Sequence, residues 1–149
     1  MAAPAEELVR ELHDLHRRMR DTIEALPADR LDRVPTDDAN SVAVLVTHTL
    51  GSELGWLHLA AGRDFKRDRA SEFAVRGKSR ADLIRSIDDT ERTTADLVRA
   101  ALDAGMATQR ERPGGRAMSV AFCLTHAIAH AAEHVGQLEL TKQVLTREH

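Results

Sequence analysis

An all-α fold, an antiparallel four-helix bundle with longer crossovers around the third helix, is what this 149-residue sequence predicts. Strand signals are nearly absent. Tyrosine is missing, aromatic residues make up 3% of the chain, and β-branched residues nowhere alternate with polar ones between turn dipeptides. Helix-period apolar patterns recur instead, bounded by residues suited to helix ends. Four such stretches of about 20 to 27 residues would each span roughly 30 to 40 Å, the length a bundle requires.

The first helix is expected from Pro4, where a missing N–H costs nothing, with Glu6 and Glu7 favourable to the dipole of its first turn. Leu8, Leu12, Leu15, Met19 and Ile23 form its apolar stripe, and the helix ends before Pro27. A polar connection containing PTDDAN leads to Ser41, a good N-cap for a second helix that is apolar on nearly every side and stops near Ala60-Ala61-Gly62. The charged segment RDFKRDRASEFAVRGK crosses to a third helix, which opens with Ser79 and Asp82 in capping-box spacing. Leu83, Ile84, Ile87, Leu97, Val98 and Leu102 give that helix its buried side. A turn at Pro113, Gly114 and Gly115 ends the second crossover, and Ser119 can cap a last helix running to about Leu145.

Neither repeats nor low-complexity tracts interrupt the chain, so residues 1–149 read as one domain. That length buries roughly two-thirds of the surface an unfolded chain exposes, so no staple is needed. The single cysteine, Cys123, excludes an intramolecular disulfide, and the N-terminus lacks the pattern of a signal peptide. No apolar run reaches the ~18 to 20 residues that cross a bilayer, and the expected location is cytoplasmic. With a net charge of −3 and mixed signs along the chain, a nucleic-acid footprint is not expected. Arg17, Arg18 and Arg20 read as a solvated helix face.

Chemistry concentrates in HAIAHAAEHVGQLEL, where His126, His130 and His134 recur every four residues. On a helix such residues stack along one face with an offset of about 40° each. The buried stripe of this helix is Val120, Leu124, Ala127, Ala131, Val135 and Leu138, which places His134 on its flank, His130 further out and His126 further still. His130 and His134 therefore look best into a cleft, at the i, i+4 spacing that lets two imidazoles reach one ion. A third ligand must come from another helix, and His48 is the leading candidate. It sits inside SVAVLVTHTLG, where an unpaired imidazole would cost ~1 to 3 kcal/mol. A facial set of three histidines leaves positions open for water, substrate or a thiol.

The remaining polar residues take humbler roles. His126 reads as a bystander or an outer contact of the site, and Glu53, Glu133 and Gln137 as groups near the ion without ligating it. His13, His16, His58 and His149 read as surface or boundary residues; Trp56 and Phe122 as core, dimer-contact or pocket-wall residues; Cys123 as inert packing.

These residues resemble a known family. NSVAVLVTHTLGSELGWLHLAAG paired with HAIAHAAEHVGQLEL is similar to the DinB/YfiT-like superfamily: a histidine in the second helix, Trp56-Leu57 near its end, and a terminal H-x-x-x-H-x-G-Q at His130, His134, Gly136 and Gln137. The resemblance implies an antiparallel four-helix bundle, often a homodimer, whose three histidines, here His48, His130 and His134, bind a divalent ion such as zinc or nickel. It further implies a thiol S-transferase using mycothiol or bacillithiol, the arginine- and alanine-rich composition favouring mycothiol. A maleylpyruvate isomerase relative carries a further C-terminal domain that this sequence lacks. The leading expectation is a metal-dependent, mycothiol-type S-transferase acting on a small electrophile. Its alternatives are a hydrolase with metal-activated water and Glu53 as general base, and a non-catalytic metal-binding stress-response protein.

Overall fold

In the computed structural model, residues 3–112 and 114–147 are described; Pro113 and His149 lie outside them. Helix α1 spans Pro4–Ala25 and is followed by one 3-10 turn at Ala28–Arg30. Helix α2 is Val42–Ala61, a short α3 is Arg69–Phe73, α4 is Arg80–Ala104 and α5 is Val120–Arg147. Strands β1 (Gln109–Glu111) and β2 (Ala117–Ser119) form an antiparallel hairpin between α4 and α5 with Arg110 opposite Met118.

The helix ends follow the sequence closely. Ser41 Oγ accepts from Val44 N at 3.2 Å, and Gly62 closes α2 in the left-handed conformation with φ 69°. Ser79 and Asp82 form a reciprocal capping box. Ser119 Oγ accepts from Phe122 N at 3.1 Å in the first turn of α5. Gly62 also makes room for a neighbour, since a Cβ there would stand 2.9 Å from the guanidinium carbon of Arg110, whose Nε donates to Ala60 O at 3.1 Å. That bond ties the hairpin to the end of α2.

Named contacts fix the helix directions. Arg20 of α1 binds Asp88 and Glu91 of α4, while Arg80, at the start of α4, reaches Ile23 O and Leu26 O at the end of α1; the two helices are antiparallel. Arg18 binds Glu139 and Arg30 donates to Leu145 O, so α1 and α5 run parallel. Helix α2 opposes α5, since His48 meets His130 and His134 whereas Trp56 meets Phe122 and His126. Both α1 and α2 pack on α4 and α5. Helices α2 and α4 therefore run parallel, so their crossover must return along the bundle, while the connections α1 to α2 and α4 to α5 join antiparallel helices that sit diagonally and make few or no mutual contacts.

The core has two apolar halves. One gathers Met19, Ile23, Leu26, Val46, Leu50, Ile87, Val135 and Leu138; the other gathers Leu12, Trp56, Leu57, Val98, Val120 and Leu124. Polar residues, namely His16, Glu53, Thr90 and Thr94, are also buried within the bundle. Two expectations change here. Arg18 and Arg20 do not form a purely solvated face, because they bridge α1 to α5 and α4 through half-buried ion pairs. His16 is fully buried, not at the surface. It occupies the apolar stripe of α1, one turn after Leu12 and three residues before Met19, and two carboxylates compensate its burial.

Candidate metal centre

Opposed packing of α2 and α5 brings His48 to His130 and His134. Ring centroids lie 5.2 Å apart for His48 and His130, 5.0 Å for His48 and His134, and 4.4 Å for His130 and His134. One ligating atom from each residue falls within 4.8 Å of the others. His48 is 5% exposed, while His130 and His134 are half-buried, so the cluster has a protein side and an accessible side.

The spacing of the His130 and His134 pair suits a divalent ion. Nε2 of His130 and Nε2 of His134 are 3.1 Å apart. Two nitrogens at 2.0 to 2.1 Å from a tetrahedral ion would be separated by about 3.3 Å. Burial, reinforced by neighbouring His134 and His48, pushes the His130 imidazolium down to about 4. Burial lowers His48 as well, against the opposing pull of Glu72. Both rings are therefore uncharged at neutral pH, the state a metal ligand requires.

Each of two rings has its second nitrogen occupied. His134 Nδ1 donates to Gln137 Oε1 at 2.7 Å, which places Gln137 at the edge of the centre. His48 Nδ1 lies 2.9 Å from Glu72 Oε2. Glu72 belongs to α3 and is gripped by Arg67 through Nε to Oε1 and Nη2 to Oε2, both at 2.7 Å. Phe73 packs on the His48 ring with centroids 4.5 Å apart. The crossover from α2 to α4 thus folds back as a strap over His48.

Arg67 and Glu72 were not legible as site residues from sequence. One signal was available: Gly51 and Gly55 lie three and seven residues after His48, on its helix face. A Cβ on Gly51 would collide with Glu72 Oε1, and one on Gly55 would stand 3.5 Å from Arg67 Cδ. Gly51 makes room for the strap, while Gly55 lies at ordinary contact distance from it.

The remaining candidates are not members of the triad, although the His126 ring stacks on His130 with centroids 5.9 Å apart, as an outer contact of the site. Glu53 is 1% exposed, and its carboxylate accepts from His16 Nε2 at 2.7 Å and Thr94 Oγ1 at 3.3 Å, in the interior polar group. That placement removes Glu53 as a base for the hydrolytic alternative. His16 Nδ1 lies 3.3 Å from Glu91 Oε1, close enough for an ion pair but not aligned as a hydrogen bond. His126 packs on Trp56 at 4.4 Å and against Phe122 at 5.5 Å, with Arg112 over the Trp56 ring at 3.9 Å. Glu133 is exposed. Cys123 is fully buried, and desolvation raises its thiol pKa, so it is packing, not a nucleophile. His58 donates from Nδ1 to Leu54 O and stacks on Phe65. No helix among the described residues is long and apolar enough to cross a membrane.

Comparison with solved structures places this architecture among DinB-like proteins. A DinB-like protein from Bacillus subtilis aligns with TM-score 0.72 at 18% identity, over 96% of this chain and 92% of that one. A DinB-family protein from Exiguobacterium sibiricum aligns with TM-score 0.73 at 19% identity, over 100% and 96%. A conserved protein from Enterococcus faecalis gives TM-score 0.69 at 13% identity, over 99% and 100%. At these identities the likeness concerns the fold. No curated protein matches the sequence at a significant level. The family model of the DinB superfamily matches residues 4–138, nearly the whole bundle together with all three clustered histidines. The chain belongs to the DinB superfamily.

Proposed function

We propose that this protein is a divalent-metal-dependent enzyme that transfers a low-molecular-weight thiol of the mycothiol type to a small electrophile. The observation that carries the reading is the cluster of His48, His130 and His134, three imidazole donors with one accessible side and no protein nucleophile among them. These residues would hold zinc or nickel through their imidazole nitrogens. When bound, such an ion supplies Lewis acidity, which favours the thiolate form of a thiol at an open position. The chain's own contribution is placement. Glu72 and Gln137 hold two of the rings, and Phe73 packs on one of them. The buried Cys123 thiol takes no part. A cytoplasmic homodimer, with no nucleic-acid or membrane partner, completes the proposal, and light scattering of the purified protein reads its mass directly.

The test is thiol-dependent consumption of monochlorobimane by metal-loaded protein. The reading predicts turnover that requires both metal and thiol and disappears in His130→Ala. Metal-loaded protein that neither binds a thiol in calorimetry nor consumes the electrophile would refute it.

A further inference from the structure

We propose that Glu72, clamped by Arg67, is a positioning residue that fixes the tautomer of His48, holding the proton on Nδ1 so that Nε2 keeps its lone pair for an ion. The inference rests on reading the triad as a metal centre, and it concerns residues that lie outside the triad.

A neutral imidazole has one donating and one accepting nitrogen, and a partner that can only accept or only donate decides which is which. His48 Nδ1 has two such partners: the carboxylate oxygen Oε2 of Glu72 at 2.9 Å and the guanidinium Nη2 of Arg67 at 3.3 Å. An ionised carboxylate only accepts, and a guanidinium only donates. Were Nδ1 bare, its lone pair would face a carboxylate oxygen at 2.9 Å, a repulsive contact. With the proton on Nδ1 the shorter contact becomes a charge-assisted hydrogen bond. Arg67 Nη2 carries two N–H groups, but its short bond is the one to Glu72 Oε2 at 2.7 Å, and the 3.3 Å contact to His48 Nδ1 is the weaker competitor for that nitrogen. The Nδ1-protonated form is the one the geometry supports.

The surroundings leave the carboxylate little freedom. Glu72 is 6% exposed, both of its oxygens are held by Arg67, and the Gly51 backbone admits Oε1 where any side chain would collide with it. Gln137, the partner of His134, is an amide that can present either oxygen or NH2, so it constrains its ring less than a carboxylate does. The pairing with Arg67 has a further consequence. It offsets the charge of Glu72, so the strap orients His48 without neutralising an ion held by the three imidazoles, and the Lewis acidity on which the proposed transfer depends is retained.

The experiment compares the full-length wild type with Glu72→Ala, Glu72→Gln and Gly51→Ala. Imidazole nitrogen NMR of metal-free protein at about pH 8, well above the histidine range, reads the tautomer, and competition with a chelating dye reads zinc affinity. In wild type, His48 should show protonated Nδ1. In Glu72→Ala the remaining neighbour of Nδ1 is the donor Arg67, so the proton should move to Nε2, and zinc affinity should fall roughly 10- to 100-fold. Glu72→Gln, whose amide oxygen can still accept, should recover part of that loss. Gly51→Ala, which displaces the carboxylate without removing it, should weaken zinc in the same direction and serves if Glu72→Ala does not fold. Zinc affinity within about threefold of wild type in folded Glu72→Ala, far short of the expected loss, with an unchanged tautomer, would overturn the proposal. Should wild type bind no zinc, the metal reading fails by itself. The tautomer shift then still decides the role of Glu72: its presence upholds positioning, and its absence refutes it.

Discussion

Replacing Glu53 by alanine should destabilise the fold while leaving metal affinity intact. Glu53 is 1% exposed and its partners His16 and Thr94 are both fully buried. The change removes the acceptor of His16 Nε2 at 2.7 Å and one of two acceptors of Thr94 Oγ1, which also bonds Thr90 O. The His16 ring, whose Nδ1 only approaches Glu91 at 3.3 Å without a hydrogen bond, is then left with neither buried nitrogen hydrogen-bonded. Leaving a buried donor without its acceptor costs about 1 to 3 kcal/mol, a sizeable part of the roughly 5 to 15 kcal/mol that holds a domain together. At ~2 to 4 °C per kcal/mol for a chain of this size, the melting temperature should fall by roughly 2 to 12 °C. Urea denaturation followed by circular dichroism measures the loss, and a zinc titration at low temperature, where the variant is folded, measures the site. Glu53→Gln should lose less, because its amide oxygen can still accept from His16. A loss below about 1 kcal/mol for Glu53→Ala, or a tenfold drop in zinc affinity, would refute the separation of the interior polar group from the metal centre.

Three further outcomes follow. The stability of metal-free protein should decline as pH falls from about 6.5 towards 4, because His130 titrates near 4 when folded and near 6.5 when unfolded. Over that window the unfolded chain binds more protons, so stability is full above the unfolded value and is lost on acidification. His130 contributes at most roughly 3 kcal/mol of the change, and less where solvent screens the half-buried ring; His130→Asn, compared with wild type by urea melts at about pH 7.5 and 4.5, should weaken the pH dependence in that direction, and an identical pH dependence would contradict it. Ser79→Ala, which breaks the capping box of α4, should cost about 1 kcal/mol in the same melts, without effect on zinc binding. Chelation of metal-loaded wild type should lower its melting temperature, in proportion to the logarithm of metal concentration over dissociation constant, whereas chelation should leave the melting temperature of His48→Ala unchanged.

What could be read from sequence were features whose physics is local. Ser41, Gly62, Ser79 with Asp82, and Ser119 act at the helix ends where their side-chain or backbone preferences put them. The buried stripe of α5 follows from its period, and that stripe aimed His130 and His134 at one cleft. His48 could be singled out because a histidine among valines and leucines needs a partner. Features that depend on topology were not legible. His16 lies in the apolar stripe of α1, but the carboxylates beside it, Glu53 and Glu91, come from α2 and α4, and their meeting depends on the helix order around the bundle. For the same reason Glu53, on the same helix as His48, turns to His16 and Thr94 in the interior and not to the histidine triad. The five-residue α3 is too short to carry a period, and the three-residue strands of the hairpin contain no apolar alternation. Arg67 and Glu72 reach His48 only because the crossover folds back onto Gly51 and Gly55.

Whether three imidazoles hold an ion is decided by the metal content of untagged protein, measured by elemental analysis for wild type, His48→Ala, His130→Ala and His134→Ala. The cluster predicts roughly one equivalent of divalent metal per chain in wild type and its loss in each variant that remains folded. Metal content unchanged in the variants would contradict the assignment of His48, His130 and His134 as the metal centre.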